Sequence, residues 1–326
     1  MKESLCRTIQ LLEDANGPIS GEALAQQLGV TRAAVWKQIR ELREQGYEID
    51  ASQKEGYRLV SRSRRLLPYE VEKHLKTRVI GRHIDYHSTT PSTNDMARWL
   101  AEGGDPAELH GTVVIAEEQT GGVGRLGRAW VSPEGGIWIT IILRPTIPID
   151  HVFMITMVGA VAVARSIRRE IGLGAMIKWP NDIMIGDKKV AGLLLELDAE
   201  ADAIHYCLLG IGIDANFEPS LLSPELQRGV TTLQAELDQE VDRAHLLARL
   251  LLDFERHYEL LEAHEYDTIL REWRSLSCTL DQHVRVKTPT KSFDGEAIDI
   301  DEYGALLVRK ENGRVERVIA GDLFQS

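Results

Sequence analysis

The segment Glu118–Trp130 brings glycines at 121, 122, 124 and 127 together with arginines at 125 and 128. Glycines let a backbone curl so that its N–H groups face inward, and the arginines add two fixed positive charges. A loop of this make-up is suited to closing over an anion. It follows Thr112–Ala116, a β-branched run that reads as a strand, so a rigid edge presents it. Gly122, Gly124 and Gly127 match Gly-x-Gly-x-x-Gly, but the dinucleotide fingerprint needs a helix directly after the glycines. Here the chain continues Trp130-Val131-Ser132-Pro133 and then Gly135-Gly136, which cannot start one. A plain flexible connection would explain the glycines but not two arginines and a tryptophan at close spacing.

A second cluster is Lys178-Trp179-Pro180-Asn181-Asp182, followed by Ile183–Ile185, a Gly186-Asp187 turn and Lys188–Gly192. This reads as a strand, a tight hairpin and a return strand, with Pro180 and Asn181 as punctuation. Lys189, near the start of the return strand, falls close to the strand carrying Asp182. A lysine beside a turn is usually just solvated. Two basic residues bracketing Asn-Asp, with an arginine-bearing loop elsewhere, make chemistry the better reading.

These residues resemble the biotin protein ligases, of the bifunctional type that also represses the biotin operon. The family pattern is Ser-Thr-Asn, Gln-x-x-Gly-Arg-Gly-Arg, Lys-Trp-Pro-Asn-Asp, Lys-x-Ala-Gly and Gly-Ile-Gly-Ile-Asn. The chain has Ser92-Thr93-Asn94, Gln119 with Gly122-Val123-Gly124-Arg125, Lys178–Asp182, Lys189–Gly192 and Gly210-Ile211-Gly212-Ile213-Asp214, in that order. It departs twice. Val123 replaces the first arginine of the loop, which keeps a backbone contact and loses a side-chain one. Asp214 replaces the final asparagine and puts a carboxylate near where a nucleotide would lie.

The resemblance implies that biotin and ATP react to give biotinyl-5′-AMP, with Mg²⁺ accompanying ATP. Biotin then passes to a lysine of a biotin carboxyl carrier domain. Biotin's ureido group needs buried polar partners, because an unpaired buried group costs on the order of 1–3 kcal/mol. Ser92, Thr93 and Gln119 offer them, although Ser92 or Thr93 by position alone reads as a simple helix cap. Lys189 and Arg125 are the expected cations for carboxylate and α-phosphate, with Lys178 and Arg128 in support. Asn181 and Asp182 either hold Mg²⁺ or orient the incoming lysine. The expected ligand-binding set is completed by Asn94, Gly122, Val123, Gly124, Trp130 and Gly192. The loop 121–130 would be a lid over the water-sensitive anhydride, with Trp130 as its apolar cover. No structural metal site is expected.

Three other readings share some of these features. A ligase with a remnant DNA-binding module and a regulator with a dead catalytic domain are two. A lipoate or octanoate ligase shares the chemistry but lacks the N-terminal module.

The 326-residue chain is 43% hydrophobic and 27% charged, which suits a soluble multidomain protein. No apolar run reads as membrane-spanning, and the first residues lack a signal-peptide core, so the expectation is cytoplasmic with no membrane partner. Cys6, Cys207 and Cys278 are too few and too scattered for a disulfide framework or a zinc site. The net charge is −12, yet residues 1–65 carry 11 Lys+Arg against 9 Asp+Glu, a net +2. Nucleic-acid binding, if present, belongs to that segment.

Those first residues read as three helices and a β-wing. Leu5, Ile9 and Leu12 recur with helical spacing over Lys2–Asp14. Ser20 caps Gly21–Leu28, Gly29 makes the turn, and Thr31 caps a helix running to about Gln45. Val35, Ile39 and Leu42 face inward. Thr31, Arg32, Ala33, Lys37 and Arg40 form the face that a recognition helix offers to a major groove. Tyr47–Ile49 and Tyr57–Val60 make the wing, and Ser61–Arg65 reads as a linker.

The expected architecture is therefore α+β and multidomain. It has a winged helix-turn-helix at 1–65, an α/β catalytic domain with a mixed sheet of biotin/lipoyl ligase type at 66–275, and an SH3-like β-barrel at 276–326. Within the catalytic domain, His83–His87, Ile137–Leu143, Leu193–Leu197 and His205–Ile213 read as strands. Asn94–Glu102, His151–Ile171 and Arg243–His264 read as helices, and Leu221–Gly229 as a short helix or loop. The tail strands are Val284–Lys287, Phe293–Ile300, Ala305–Arg309 and Val315–Ile319, with turns at Asp294-Gly295, Tyr303-Gly304 and Asn312-Gly313. The resemblance implies operator DNA as a partner and a homodimer when the adenylate is bound, since a two-fold dimer reads two half-sites.

Overall fold

The computed structural model describes residues 3–52, 54–200, 203–288 and 290–325. One compact unit ends at His74 and a second begins at Leu75.

The first unit is built from α1 (Glu3–Asp14), α2 (Gly21–Leu28) and α3 (Arg32–Glu44), the antiparallel strands β1 (Glu48–Ser52) and β2 (Gly56–Ser61), and the short α4 (Pro68–Glu72). Ser20 Oγ accepts the Ala23 N–H at 3.1 Å, and Thr31 Oγ1 accepts that of Ala34 at 3.2 Å. Gly29, at φ 67°, stops α2 in the left-handed conformation that glycine adopts without steric cost. Leu5, Ile9, Leu24, Val35, Ile39 and Leu42 fill the core. The segment after the wing packs onto this unit. Ser63 donates to Gln45 O at 2.6 Å, Arg62 and Lys73 pair with Glu13, and Tyr47 donates to Glu70 at 2.6 Å.

The second unit holds a seven-stranded mixed sheet. Its strands are β3 (Ile84–Thr90), β4 (Val113–Gln119), β5 (Ile137–Leu143), β6 (Met176–Lys178), β7 (Asp182–Ile185), β8 (Lys188–Glu200) and β9 (Ala203–Ile213). Their order is β3-β4-β5-β9-β8-β7-β6, with β3 and β4 parallel and the other pairs antiparallel. The helices are α5 (Thr93–Gly103), α6 (Pro106–Leu109), α7 (Met154–Ser166), α8 (Pro224–Gln227), α9 (Leu233–Leu237), α10 (Arg243–Glu262) and α11 (Tyr266–Leu276).

Side chains alternate across a strand, so neighbours on β9 serve opposite faces. A Cβ on Gly159 of α7 would meet Leu193 and Leu209, whereas one on Gly210 would meet Asn94 of α5. Helices α7 and α5 therefore cover opposite faces, and α10 and α11 back α7. Every residue of α7 except Arg165 is buried. Residues 149–171 are, against expectation, long and apolar enough by composition to cross a membrane. Here their apolar character comes from being a core helix surrounded by protein. The long helix read over 151–171 is also divided, into a single turn at Ile149–His151, α7, and a wider turn at Ile167–Ile171.

The tail forms β10 (Gln282–Lys287), β11 (Ser292–Ile300), β12 (Leu306–Arg309), β13 (Val315–Val318) and β14 (Asp322–Gln325), in the order β13-β12-β11-β10-β14. The sequence reading needs correcting twice here. The edge strands β13 and β14 do not pair with each other, so among the described residues the sheet is not closed, and the pairing does not bear out the expected SH3-like β-barrel. Asp294-Gly295 lies inside β11 rather than at a turn. Gly295 is required there because a Cβ would sit 2.6 Å from Arg309 O on the neighbouring strand.

Candidate active site and nucleic-acid interface

On the α5 face of the sheet a cavity of about 450 Å³ opens between β8, β9, the glycine-rich loop, the β6–β7 hairpin and β14. Its floor is glycine for steric reasons. In the β8–β9 register Gly192 lies opposite Gly212, and Leu194 opposite Gly210. A Cβ on Gly210 would approach Asn94 Oδ1 to 2.5 Å, and one on Gly212 would approach Trp130 Nε1 to 2.7 Å. A Cβ on Gly192 would press on both Lys189 and Trp130, at 3.1 and 3.2 Å. These glycines let one amide and one indole lie directly on the sheet.

One end of the cavity is neutral and polar. Gln119, at the end of β4, accepts at Oε1 from Thr93 N at 2.8 Å and Thr93 Oγ1 at 3.0 Å, and donates through Nε2 to Ser132 Oγ at 2.8 Å. Asn94 donates to Glu196 at 2.6 Å. The buried Thr140 hydroxyl lies 2.8 Å from Thr93 Oγ1 and 2.5 Å from Asn94 Oδ1, with one proton to give to either. Ser92 occupies the N-cap position of α5, yet its hydroxyl makes no capping bond and lines the cavity. The simple-cap reading thus fails for Ser92, and Thr93 spends its hydroxyl on Gln119.

The other end is cationic. Lys189 Nζ sits 2.6 Å from Asp182 Oδ1 and 4.7 Å from the Trp130 ring centroid. Arg125 donates from Nη1 to Asn181 Oδ1 at 3.0 Å and from Nη2 to Gly321 O at 3.3 Å. Burial lowers the Arg125 pKa from its ordinary value. Asn181 gives its amide N–H to Leu193 O at 2.6 Å, so its side chain ties the hairpin to β8. Arg128 points to the tail, where it forms an ion pair with Asp322 and holds that carboxyl below its usual range. Lys178 also lines the cavity, opposite Asp182 in the β6–β7 register.

The glycine-rich loop is a closed-up hairpin. Gly124 N bonds to Arg128 O at 2.7 Å, and Trp130 N to Gly122 O at 2.8 Å. Arg125–Gly127 make a single turn with Leu126 left-handed at φ 59°. Val123, Gly124, Arg125 and Arg128 line the cavity. Gly122 alone of the expected ligand set does not, and its role in this geometry is to let the Trp130 carbonyl approach, since a Cβ would lie 2.4 Å from it. Asp214 also lies outside the lining, in a nearly closed environment. Burial raises its pKa well above the ordinary carboxylate range, against a smaller opposing pull from Lys189.

Local sequence reading missed the contribution of the tail. Asp322, Leu323 and Phe324 of β14 line the cavity. Trp179 fastens that sheet to the site, donating its backbone N–H to Thr279 Oγ1 at 2.9 Å and its Nε1–H to Gly304 O at 3.1 Å. Among the described residues, no group of three or more His, Cys, Asp or Glu gathers as for a metal.

In the first unit, Arg32, Ala33, Lys37 and Arg40 are exposed on α3, and Thr31 caps it. Arg32 faces Glu22 at 3.7 Å and Arg40 faces Glu44 at 3.6 Å, loose pairs that a stronger anion can displace. The same face carries the exposed Trp36, which is not among the residues the sequence pattern assigns to DNA contact. The available signal was an aromatic residue on the polar side of an amphipathic helix.

A helix-turn-helix unit followed by a mixed-sheet unit with a half-neutral, half-cationic cavity defines a ligand-binding domain coupled to a DNA-binding module. Residues 88–214 match the biotin/lipoate A/B protein ligase family, residues 7–58 an HTH domain, and residues 279–324 the biotin protein ligase C-terminal domain. The chain is 38% identical over 317 residues to the bifunctional ligase/repressor BirA of Bacillus subtilis, covering 97% of this chain and 96% of that protein. It is 29% identical over 317 residues to the BirA of Escherichia coli, covering 95% and 94%. The fold is also that of a biotin protein ligase from Aquifex aeolicus solved with biotin and ATP. That match has a TM-score of 0.65 at 24% identity, over 75% of this chain and 100% of that one. The chain belongs to the biotin protein ligase family, among its bifunctional ligase/repressors.

Proposed function

We propose that this chain activates biotin with ATP, transfers it to a lysine of a biotin carboxyl carrier protein, and represses biotin-synthesis genes in response to the same ligand. The observation that carries this is one cavity holding a neutral amide–hydroxyl network beside Lys189 and Arg125. The network around Thr93, Asn94 and Gln119 suits an uncharged ureido ring. The cations suit a carboxylate meeting a phosphate.

In the first step a biotin carboxylate oxygen attacks the α-phosphorus of ATP. The bond to the bridging oxygen breaks and pyrophosphate leaves. Both reactants are anionic, so fixed cations lower the barrier as charge accumulates. Lys189 and Arg125 take that role, with Lys178 and Arg128 in support. Mg²⁺ held on phosphates needs only one or two carboxylates. Asp182 fits, because it lines the cavity with its carboxylate paired to Lys189. When bound, the ion neutralises phosphate charge.

In the second step the carrier lysine amine attacks the anhydride carbonyl. An amide forms, AMP leaves, and the amine loses a proton. Asp182 is placed to orient that amine if it is not engaged with the metal. Loop 121–130 and Trp130 exclude water meanwhile. The sites of action are carrier proteins and DNA, which puts the chain in the cytoplasm. The adenylate favours a homodimer that sets two copies of α3 on two half-sites. The test is incubation with ATP, Mg²⁺ and labelled biotin, with and without an apo-carrier domain. Labelled adenylate without carrier and labelled carrier with it are expected. Absence of both products would overturn the ligase reading.

A further inference from the structure

Trp36 is 57% exposed on α3. The core of this helix is made by Val35, Ile39 and Leu42, so the fold does not need an indole on the outer face. Single exposed apolar residues are ordinary, but the surroundings of this one are not. Arg32 lies one turn before it and Arg40 one turn after, with the Arg40 guanidinium carbon 5.3 Å from the ring centroid. Ala33 and Lys37 are its exposed neighbours. At 3.6 residues per turn these five positions fall within an arc of roughly 140°. A helix-turn-helix offers that arc to the major groove, with the first turns nearest the base edges. There the apolar feature that distinguishes one base is the thymine 5-methyl group.

We propose that Trp36 reads thymine methyl groups in the operator, with Arg40 braced on its ring toward the backbone. The inference rests on the DNA-binding reading above and adds a specificity-determining residue to it. An apolar reader contributes little to counterion release, whereas a phosphate-binding cation contributes directly. Trp36 and its basic neighbours should therefore separate in their salt dependence.

The experiment uses the full chain with biotin, ATP and Mg²⁺. A preferred duplex is selected from a random pool, and each thymine is then replaced in turn by uracil, which lacks only the methyl. The wild type should lose about tenfold in affinity at one or two positions. Trp36→Ala should bind the thymine duplex weaker by a similar factor and be indifferent to those replacements. Trp36→Phe should keep part of the discrimination, and guards against a misfolded alanine variant. The salt slope should be unchanged in Trp36→Ala and lowered in Lys37→Ala. Carrier biotinylation should be unchanged in the Trp36 variants. Wild-type affinity and wild-type uracil penalties in Trp36→Ala would overturn the inference. So would uracil replacements that are all silent in the wild type, or a variant that alters self-association alone, which would make Trp36 a contact with a second copy. A wild type with no preferred duplex overturns the DNA-binding reading itself, and this inference with it.

Discussion

Replacing Lys189 by alanine separates chemistry from folding. Its ammonium lies 2.6 Å from Asp182 and 4.7 Å from the Trp130 ring centroid. Both members of the ion pair are about a quarter exposed, 23% and 28%, so water screens the pair and it contributes no more than about 1 kcal/mol to stability. The cation–π contact adds about 0.5–1 kcal/mol. Losing both lowers the melting temperature by at most several degrees. Asp214 loses the opposing pull of Lys189, which shifts its carboxyl further above the ordinary range. The chemical cost is larger, because one preorganised charge aimed at a transition state is worth about 2.7–4 kcal/mol, or roughly 100- to 1,000-fold in rate. The assay is single-turnover formation of biotinyl-AMP from labelled biotin with saturating enzyme, beside a thermal melt. A folded variant that forms adenylate within about threefold of the wild-type rate would remove Lys189 from the mechanism.

Arg125 bridges the loop to Asn181 and to Gly321, so Arg125→Gly should leak biotinyl-AMP rather than abolish its synthesis. A streptavidin blot with a bystander protein should then show labelling, and labelling confined to the carrier lysine contradicts the lid role. Gly212→Ala forces a Cβ to within 2.7 Å of the Trp130 indole. Overpacking of this kind costs about 1–3 kcal/mol, to be seen as a lower urea midpoint together with weaker ligand binding, and a variant normal in both would show that Trp130 does not rest there. Asp214 has a raised folded-state pKa. The unfolded chain therefore releases its proton first, and stability falls as pH rises from the unfolded value toward the folded one. Asp214→Asn should gain on the wild type over that window, by at most about 1.4 kcal/mol per pH unit, and a pH-independent difference in urea midpoints would contradict it. Adenylate-dependent dimerisation is checked by sedimentation with and without biotin and ATP, where a doubling of mass is expected and an unchanged mass removes the dimer.

Much of this protein was legible along the chain because its signals are local. Ser20, Thr31 and Gly29 bound α2 and α3 through bonds spanning a few residues. The continuous apolar run Ile137–Leu143 marked a buried strand within its own length. The cations of the cavity were named from motif chemistry, and Lys189 was placed beside Asp182 because a two-residue turn brings neighbouring strands together. Tertiary structure decided what depends on the order of strands. Gly192, Gly210 and Gly212 are forced by side chains that arrive from the loop and from α5, and β-strand periodicity contains no record of those neighbours. Arg128 reads along the chain as a cation for phosphate, yet its partner Asp322 lies 194 residues away on a strand, β14, that local patterning does not mark. The open tail sheet is settled by whether two edge strands meet. Alternation along each strand fixes which face is buried and leaves closure undetermined. Composition made residues 149–171 apolar; only the sheet on one side and α10 and α11 on the other make that segment a core.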